Sequence, residues 1–243
     1  EPSTASLIHG NLRLSSNCMN YDLSNACLGF VNGMYNIGLM IESGAIKRGL
    51  VVAGEAGREL IEATIRNLGQ PDTTRQQFME NLATLTLGEG AVAMILSHKD
   101  CSKTNHRLHG SVSVAATEFN HLCVADTTWM KTNPAKLLAA GAELIVKAWQ
   151  AAETLFGPLL DDQIKLYVPH QVSSHNTLAV ARRLNVTYAK IKLTFPMLGN
   201  TGPVGLPTAL ALADESGEIS PSDRVCLLGI GSGLNATVMN VTW

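Results

Sequence analysis

Three observations predict an α/β protein. Apolar helical segments alternate with short continuous runs of Val, Leu, Ile and Ala. A helix, its capping glycine and the strand after it occur twice, and each copy is followed by a strand that opens on Gly-x-Gly. Runs that are apolar at consecutive positions suit strands covered on both faces, which packed helices provide. With 243 residues, 46% hydrophobic and 16% charged, the chain can form one large domain or two halves that share their sheets.

In chain order, Met19-Asn20-Tyr21-Asp22-Leu23-Ser24 is strand-like and ends just before Cys27, which opens an apolar helix from Leu28 through Ile41. Gly44 suits the end of that helix, where a positive φ lets the chain turn into the strand Leu50-Val51-Val52-Ala53. A glycine strand follows, Gly88 through Leu96. The polar stretch holding His98, Cys101, His106 and His109 lacks a fixed ligand spacing and lies between strand-like runs, so it predicts a solvated loop and no metal.

Further on, Leu166-Tyr167-Val168 leads into His170, and a helix from about Ser173 to Leu184 leaves it, with His175 inside that helix. From Asn200 a second apolar helix runs toward Gly217, followed by the strand Val225-Cys226-Leu227-Leu228 and the glycine strand Gly231 through Met239. Gly44 follows Cys27, and Gly217 follows Asn200, by the same 17 positions. The repeat therefore predicts two pseudo-symmetric halves with Cys27 and Asn200 at equivalent helix starts, converging on one cavity between the halves.

A thiol in the first turn of a helix meets unpaired N–H groups and a positive dipole end, so the pKa of Cys27 is expected to fall from ~8.5 toward ~7 or lower. By itself a cysteine is more often a buried structural residue, and a histidine more often a satisfied one. Three polar groups at the same kind of corner, Cys27, His170 and Asn200, favour a shared site.

Composition excludes other classes. Net charge is −2 and no run of Lys or Arg exceeds two, which leaves no electrostatic footprint for nucleic acid or an anionic membrane. No apolar stretch approaches ~18 residues and no basic leader precedes an apolar segment, so no membrane span and a cytoplasmic location are expected. The five cysteines, Cys18, Cys27, Cys101, Cys123 and Cys226, are odd in number and contain no C-x-x-C pair, which predicts reduced thiols.

The segments Ser24-Asn25-Ala26-Cys27-Leu28-Gly29-Phe30, Val168-Pro169-His170-Gln171, Gly199-Asn200-Thr201-Gly202 and Gly229-Ile230-Gly231-Ser232-Gly233 together resemble the thiolase superfamily, specifically the ketoacyl synthase III enzymes, across essentially the whole chain. Asn-Ala-Cys-Leu-Gly-Phe and Phe-Pro-Met-Leu-Gly-Asn-Thr-Gly-Pro resemble the branch that condenses acyl-CoAs in bacterial head-to-head olefin biosynthesis. The resemblance implies a thiolase-like layered αβαβα fold with an incomplete N-terminal half: residues 1–104 would carry Cys27, and residues 105–243 would carry His170 and Asn200. It also implies that about a hundred further residues precede Glu1, as a missing segment or a separate chain.

The resemblance makes Cys27 the acyl-accepting nucleophile, completes a triad with His170 and Asn200, and assigns the oxyanion hole to the backbone N–H groups of Cys27 and Ser232. Implied substrates are thioesters of CoA or of an acyl-carrier protein, with no cofactor beyond CoA as carrier. The implied assembly is a homodimer, with the strand after Leu50 continuing a sheet across the interface. Methionine and leucine at Met34, Met40, Leu82, Leu85 and Met197 are apolar candidates for an acyl tunnel or for the core.

The implied reaction is a non-decarboxylative Claisen condensation of two fatty acyl-CoAs to a β-keto acid, which needs a base. In this branch a glutamate just before a Pro-Ser/Ala-x-Ala stretch reaches into the partner subunit's site, and Glu1-Pro2-Ser3-Thr4-Ala5 matches it. The residues equally allow Glu1 to be a helix-start carboxylate with Pro2 at the first helical position. Glu55 and Glu89 are expected to be structural carboxylates.

The alternative within the family is a decarboxylative synthase using a malonyl thioester, which needs no carboxylate base. A cysteine hydrolase shares the order Cys, His, Asn, but no Gln occurs between Met19 and Phe30 and Leu follows Cys27, unlike papain-type proteases. An inactive structural subunit is expected to have lost a triad member, and all three are present.

Overall fold

The computed structural model describes residues 1–243. An exposed helix, α1 (Thr4–Asn11), comes first. The expected strand from Met19 to Ser24 does not form: within residues 1–243 the segment has no regular structure, is largely exposed and pairs with no strand. Its Asp22 instead accepts from the N–H groups of Thr4 (2.9 Å) and Ala5 (2.7 Å), and these bonds at the positive end of α1 hold the carboxyl below its usual range. Helix α1 starts at Thr4 with Ser3 as its cap, so Pro2 is not in its first turn.

A 3₁₀ turn, Ala26–Leu28, leads into α2 (Gly29–Glu42), then β1 (Arg48–Glu55), α3 (Arg58–Leu68), α4 (Arg75–Asn81) and β2 (Gly90–Ser97). The chain then changes sheets with β3 (Arg107–Ala115), passes through the short strands β4 (Cys123–Ala125) and β5 (Met130–Thr132), and enters the long helix α5 (Pro134–Phe156). The remainder is β6 (Leu166–Pro169), α6 (Ser174–Leu184), α7 (Phe195–Leu198), α8 (Gly205–Glu215), β7 (Arg224–Gly231) and β8 (Asn235–Thr242).

β1 and β2 form an antiparallel pair, and a second sheet runs in the order β3-β8-β7-β6, with β6 parallel to β7. Helices α2 and α8 lie between the two sheets: Phe30, Val31 and Met34 meet Leu206, Ala209 and Leu210 in a core shared with Val51, Val168, Leu227 and Met239. On the other face of the larger sheet α5 and α6 bury Leu144, Ile145, Trp149 and Ala181 against Tyr167, Cys226, Leu228 and Val238. Successive residues of β6 and β7 thus enter opposite cores, which explains their unbroken apolar runs. Each large side chain so buried contributes about 1.5–3 kcal/mol.

The capping repeat is visible in detail. Gly44 (φ +76°) donates to Ile41 O and Ala45 to Met40 O, while Gly217 (φ +69°) donates to Asp214 O and Glu218 to Ala213 O. Both helices therefore end in the same left-handed motif. Their starts differ. α2 has 14 residues and α8 has 11; each follows a 3₁₀ turn, Ala26–Leu28 or Gly202–Val204. Cys27 lies inside its turn and Asn200 lies two residues ahead of the other, so the two are not equivalent: three residues of helix in one copy are loop in the other.

The glycine strands begin later than expected. Gly88 and Glu89 precede β2, and Gly231 ends β7, leaving Ser232 and Gly233 in the turn to β8. The four residues of the polar stretch are engaged separately or apart: His98 caps the turn Lys99–Cys101, His106 stacks on Trp243 at 4.2 Å, and His109 lies within β3, bonded to Thr242 at 2.7 Å. No helix is long and apolar enough to cross a membrane.

Candidate active site

The carboxyl ends of β1, β6 and β7 carry Glu55, His170 and Ser232 respectively, the end of a sheet where α/β proteins assemble sites. His170 extends β6 by one residue, its backbone N–H donating to Leu228 O of β7 at 2.8 Å. The next residues of β7 receive the Cys27 turn. Gly229 leaves room for the Leu28 side chain, and a Cβ on Gly231 would stand 3.3 Å from Asn25 O. Cys27 and His170 therefore flank the same few residues of β7.

Asn200 arrives from the other side. Its backbone bridges to the segment before β2, accepting from Gly88 N–H (2.9 Å) and donating to Thr86 O (2.8 Å). Its side-chain Oδ1 accepts from Gly202 N–H at 3.0 Å, which orients the amide and leaves its NH₂ free to donate. The 3₁₀ turn that begins at Gly202 packs on the turn holding Cys27. The structure thus gathers Cys27, His170, Asn200 and Ser232 at one end of the sheets. Glu1 is exposed ahead of α1 and makes no polar contact with them.

Ala26, the residue before the thiol, has φ +45°, a left-handed conformation costly for any residue with a Cβ. The strain is localised beside the thiol, as is common at functional turns. A lowered thiol pKa does not follow, however. Burial pushes Cys27 up to about 12, reinforced by the Cys123 thiol and the Glu55 carboxylate nearby. The short turn offers too few aligned dipoles to offset desolvation. Burial also drives His170 down to about 4, so its imidazole is neutral, with Nδ1 enclosed and unpaired.

Two further residues lie at the site. Glu55, expected to be structural, has a half-buried, desolvated carboxyl with a raised pKa, and lies where a Cβ on Gly202 would be 2.7 Å from Oε2. Gln171 is buried beside His170. Its Nε2 donates to Lys192 O (2.8 Å) and Thr194 Oγ1 (3.3 Å), and its Oε1 accepts from the N–H groups of Thr194 (3.0 Å) and Phe195 (3.1 Å). It fastens the His170 corner to the segment that leads to Asn200. No spacing rule marks such a residue. Glu89 takes the expected structural role, accepting from Arg58 N–H at the start of α3.

Comparison with known proteins places the chain in a family. The family models for 3-oxoacyl-[acyl-carrier-protein] synthase III and for its C-terminal region match residues 21–115 and 158–243. The chain is 40% identical over its whole length, and over 72% of the relative's, to an acyl-CoA:acyl-CoA alkyltransferase of Xanthomonas campestris, and 38% identical to one of Shewanella oneidensis, again covering 72% of it. A β-ketoacyl-[acyl-carrier-protein] synthase III of Coxiella burnetii is 26% identical over 96% of the chain.

Among solved structures, cerulenin-bound Xanthomonas campestris OleA superposes with a TM-score of 0.97 over all of this chain and 70% of that one, at 40% identity. A cysteine-to-serine form of that protein, at 39% identity and the same TM-score, holds lauric acid and lauroyl-CoA. The glutamate and the cysteine substituted in its solved variants are 26 positions apart, the separation of Glu1 and Cys27 here. The fold, the two family models and the end-to-end identity together show that the chain belongs to the ketoacyl synthase III group of the thiolase superfamily, alongside the acyl-CoA:acyl-CoA alkyltransferases.

Proposed function

We propose that this protein joins two fatty acyl-CoA thioesters by a non-decarboxylative Claisen condensation, giving a β-keto acid through an acyl-Cys27 intermediate. The observation that carries the reading is the seat of Cys27, on a strained turn between the Asn200–Gly202 turn and the glycine end of β7, in a chain 40% identical throughout to an acyl-CoA:acyl-CoA alkyltransferase.

With the thiol pushed up to about 12 and the imidazole neutral, the resting pair is uncharged. As Cys27 sulfur attacks the thioester carbonyl carbon, its proton passes to His170 Nε2 and then to the departing CoA sulfur. The oxyanion takes hydrogen bonds from the backbone N–H groups of Cys27 and Ser232. A second acyl-CoA then loses an α-proton to Glu1 of a partner copy, and its enolate oxygen accepts from His170 and Asn200, neutral donors suited to a developing negative charge. The enolate carbon attacks the acyl-Cys27 carbonyl; the carbon–carbon bond forms, the carbon–sulfur bond breaks, and Cys27 is regenerated. Hydrolysis of the remaining CoA ester yields the β-keto acid.

The protein acts in this reading as a cytoplasmic homodimer with no cofactor beyond the CoA of its substrates.

The test is product analysis from paired acyl-CoAs, with mass spectrometry of Cys27, on wild type and Glu1→Gln. Wild type should form product without a malonyl thioester, and Glu1→Gln should acylate Cys27 but condense nothing. A strict need for malonyl thioester would instead support the decarboxylative reaction, and full condensation by Glu1→Gln would remove Glu1 from the mechanism.

A further inference from the structure

The two N–H groups assigned to the oxyanion belong to chain segments that local structure does not join. Cys27 is in the turn before α2 and Ser232 in the turn between β7 and β8. One side-chain hydrogen bond spans them: Asn235 Nδ2 donates to Asn25 Oδ1 at 3.2 Å. The other end of the Asn25 amide is also engaged, Nδ2 donating to Asn32 Oδ1 on α2 at 2.6 Å. Three half-buried amides thus run in one direction, Asn235 to Asn25 to Asn32, and the use of both ends of Asn25 sets its orientation.

We propose that the Asn25–Asn235 pair is a clamp that holds the separation of the two oxyanion donors, making both residues positioning residues for acylation of Cys27. This rests on Cys27 being the acyl acceptor. Only Ala26, at φ +45°, lies between Asn25 and the thiol, so the placement of Asn25 is passed directly to Cys27. On the other side Asn235 faces Gly231 across the β7–β8 register, with Ser232 in the turn between them.

Gly233 belongs to the same device. Its φ is +131°, and a Cβ there would stand 2.8 Å from Asn235 Nδ2, so glycine keeps open the space in which that amide reaches across. The backbones also meet at this point, Asn25 O accepting from Leu28 N–H at 2.9 Å while standing 3.3 Å from a Cβ placed on Gly231. Preorganised donors act by being in place before charge develops, and a displacement of about 1 Å can cost about a hundredfold in rate.

The experiment compares two reactions of the same sulfur in the full protein: acylation by lauroyl-CoA, which passes through an oxyanion, and alkylation by iodoacetamide, which does not. Asn25→Leu and Asn235→Leu should each slow acylation of Cys27 by 10- to 100-fold while alkylation stays within twofold, and the double variant should be no slower than the worse single one. Asn32→Leu, which removes the acceptor that orients Asn25 but keeps the Asn25–Asn235 bond, should slow acylation less than either clamp variant, with alkylation again within twofold. Should the leucine variants fail to fold by urea denaturation, Asn25→Ser and Asn235→Ser remove the reach with less volume change and take their place. The clamp is overturned if acylation and alkylation fall together, if acylation is unchanged, or if the two single losses multiply in the double variant. Wild type that alkylates at Cys27 but takes no lauroyl group would instead overturn the acyl-transfer reading, and the clamp with it.

Discussion

Replacing Gly88 by alanine should disable condensation through a contact no local pattern reveals. The new Cβ would fall inside the carbonyl oxygen of Leu198 and stand 2.9 Å from Thr201 Cγ2. That carbonyl cannot easily withdraw. Gly199 follows it at φ +68°, itself 2.7 Å from Thr86 O were it to carry a Cβ, and Asn200 is tied on both backbone groups, to Thr86 O at 2.8 Å and Gly88 N–H at 2.9 Å. Losing those two bonds costs about 2 kcal/mol at about 1 kcal/mol each. Overpacking the segment adds about 1–3 kcal/mol, so Gly88→Ala should be destabilised by about 3–5 kcal/mol.

The functional effect should exceed the loss of fold. A shift of about 1 Å in Asn200 is worth about a hundredfold in rate, so condensation should drop at least that far in protein shown to be folded. Gly54→Ala is the control, because nothing lies within 4 Å of its Cβ and its φ is ordinary. Urea denaturation read by circular dichroism, together with product formation from paired acyl-CoAs, measures both effects. A Gly88→Ala protein within 1 kcal/mol of wild type that condenses normally would refute the packing on which the placement of Asn200 depends.

Three further outcomes follow from the geometry. His170 is held near a pKa of about 4 against about 6.5 unfolded, so its share of stability is whole above pH ~6.5 and lost as pH falls toward 4; wild type should lose about 3 kcal/mol more than His170→Asn across that window in urea titrations. Ala26→Gly should raise stability by about 1 kcal/mol by removing the Cβ from a left-handed site, and a lower melting midpoint would contradict the strain. Gln171→Leu leaves Thr194 N–H, Phe195 N–H and Lys192 O without their partner and should cost about 3 kcal/mol with a parallel loss of condensation, whereas an unchanged urea midpoint would deny the link between His170 and Asn200.

Much of the fold was legible because its causes are local. Gly44 and Gly217 mark helix ends since glycine tolerates the positive φ a left-handed cap needs, and β6 and β7 announce themselves by apolar residues on consecutive positions. Within residues 1–243 the strand expected at Met19–Ser24 does not form. A strand requires a partner, no other strand of these residues lies beside it, and Asp22 accepts from a helix start. The strict equivalence of Cys27 and Asn200 failed because equal spacing along a chain counts loop and helix residues alike.

Sequence alone determined the α/β class, the helix ends at Gly44 and Gly217 and the strand-to-helix corner at His170, each a consequence of capping, periodicity and residue type over a few positions. Tertiary structure decided what the polar groups of the site are physically. It made Cys27 a protonated thiol rather than an activated thiolate, because desolvation depends on everything packed around the sulfur and outweighs the dipole of one short turn. It brought the Glu55 carboxyl against Gly202, and it joined Asn25 to Asn235 from opposite ends of the chain. Such contacts have no signature in spacing, since the distance between two side chains across a core is set by how the layers between them pack.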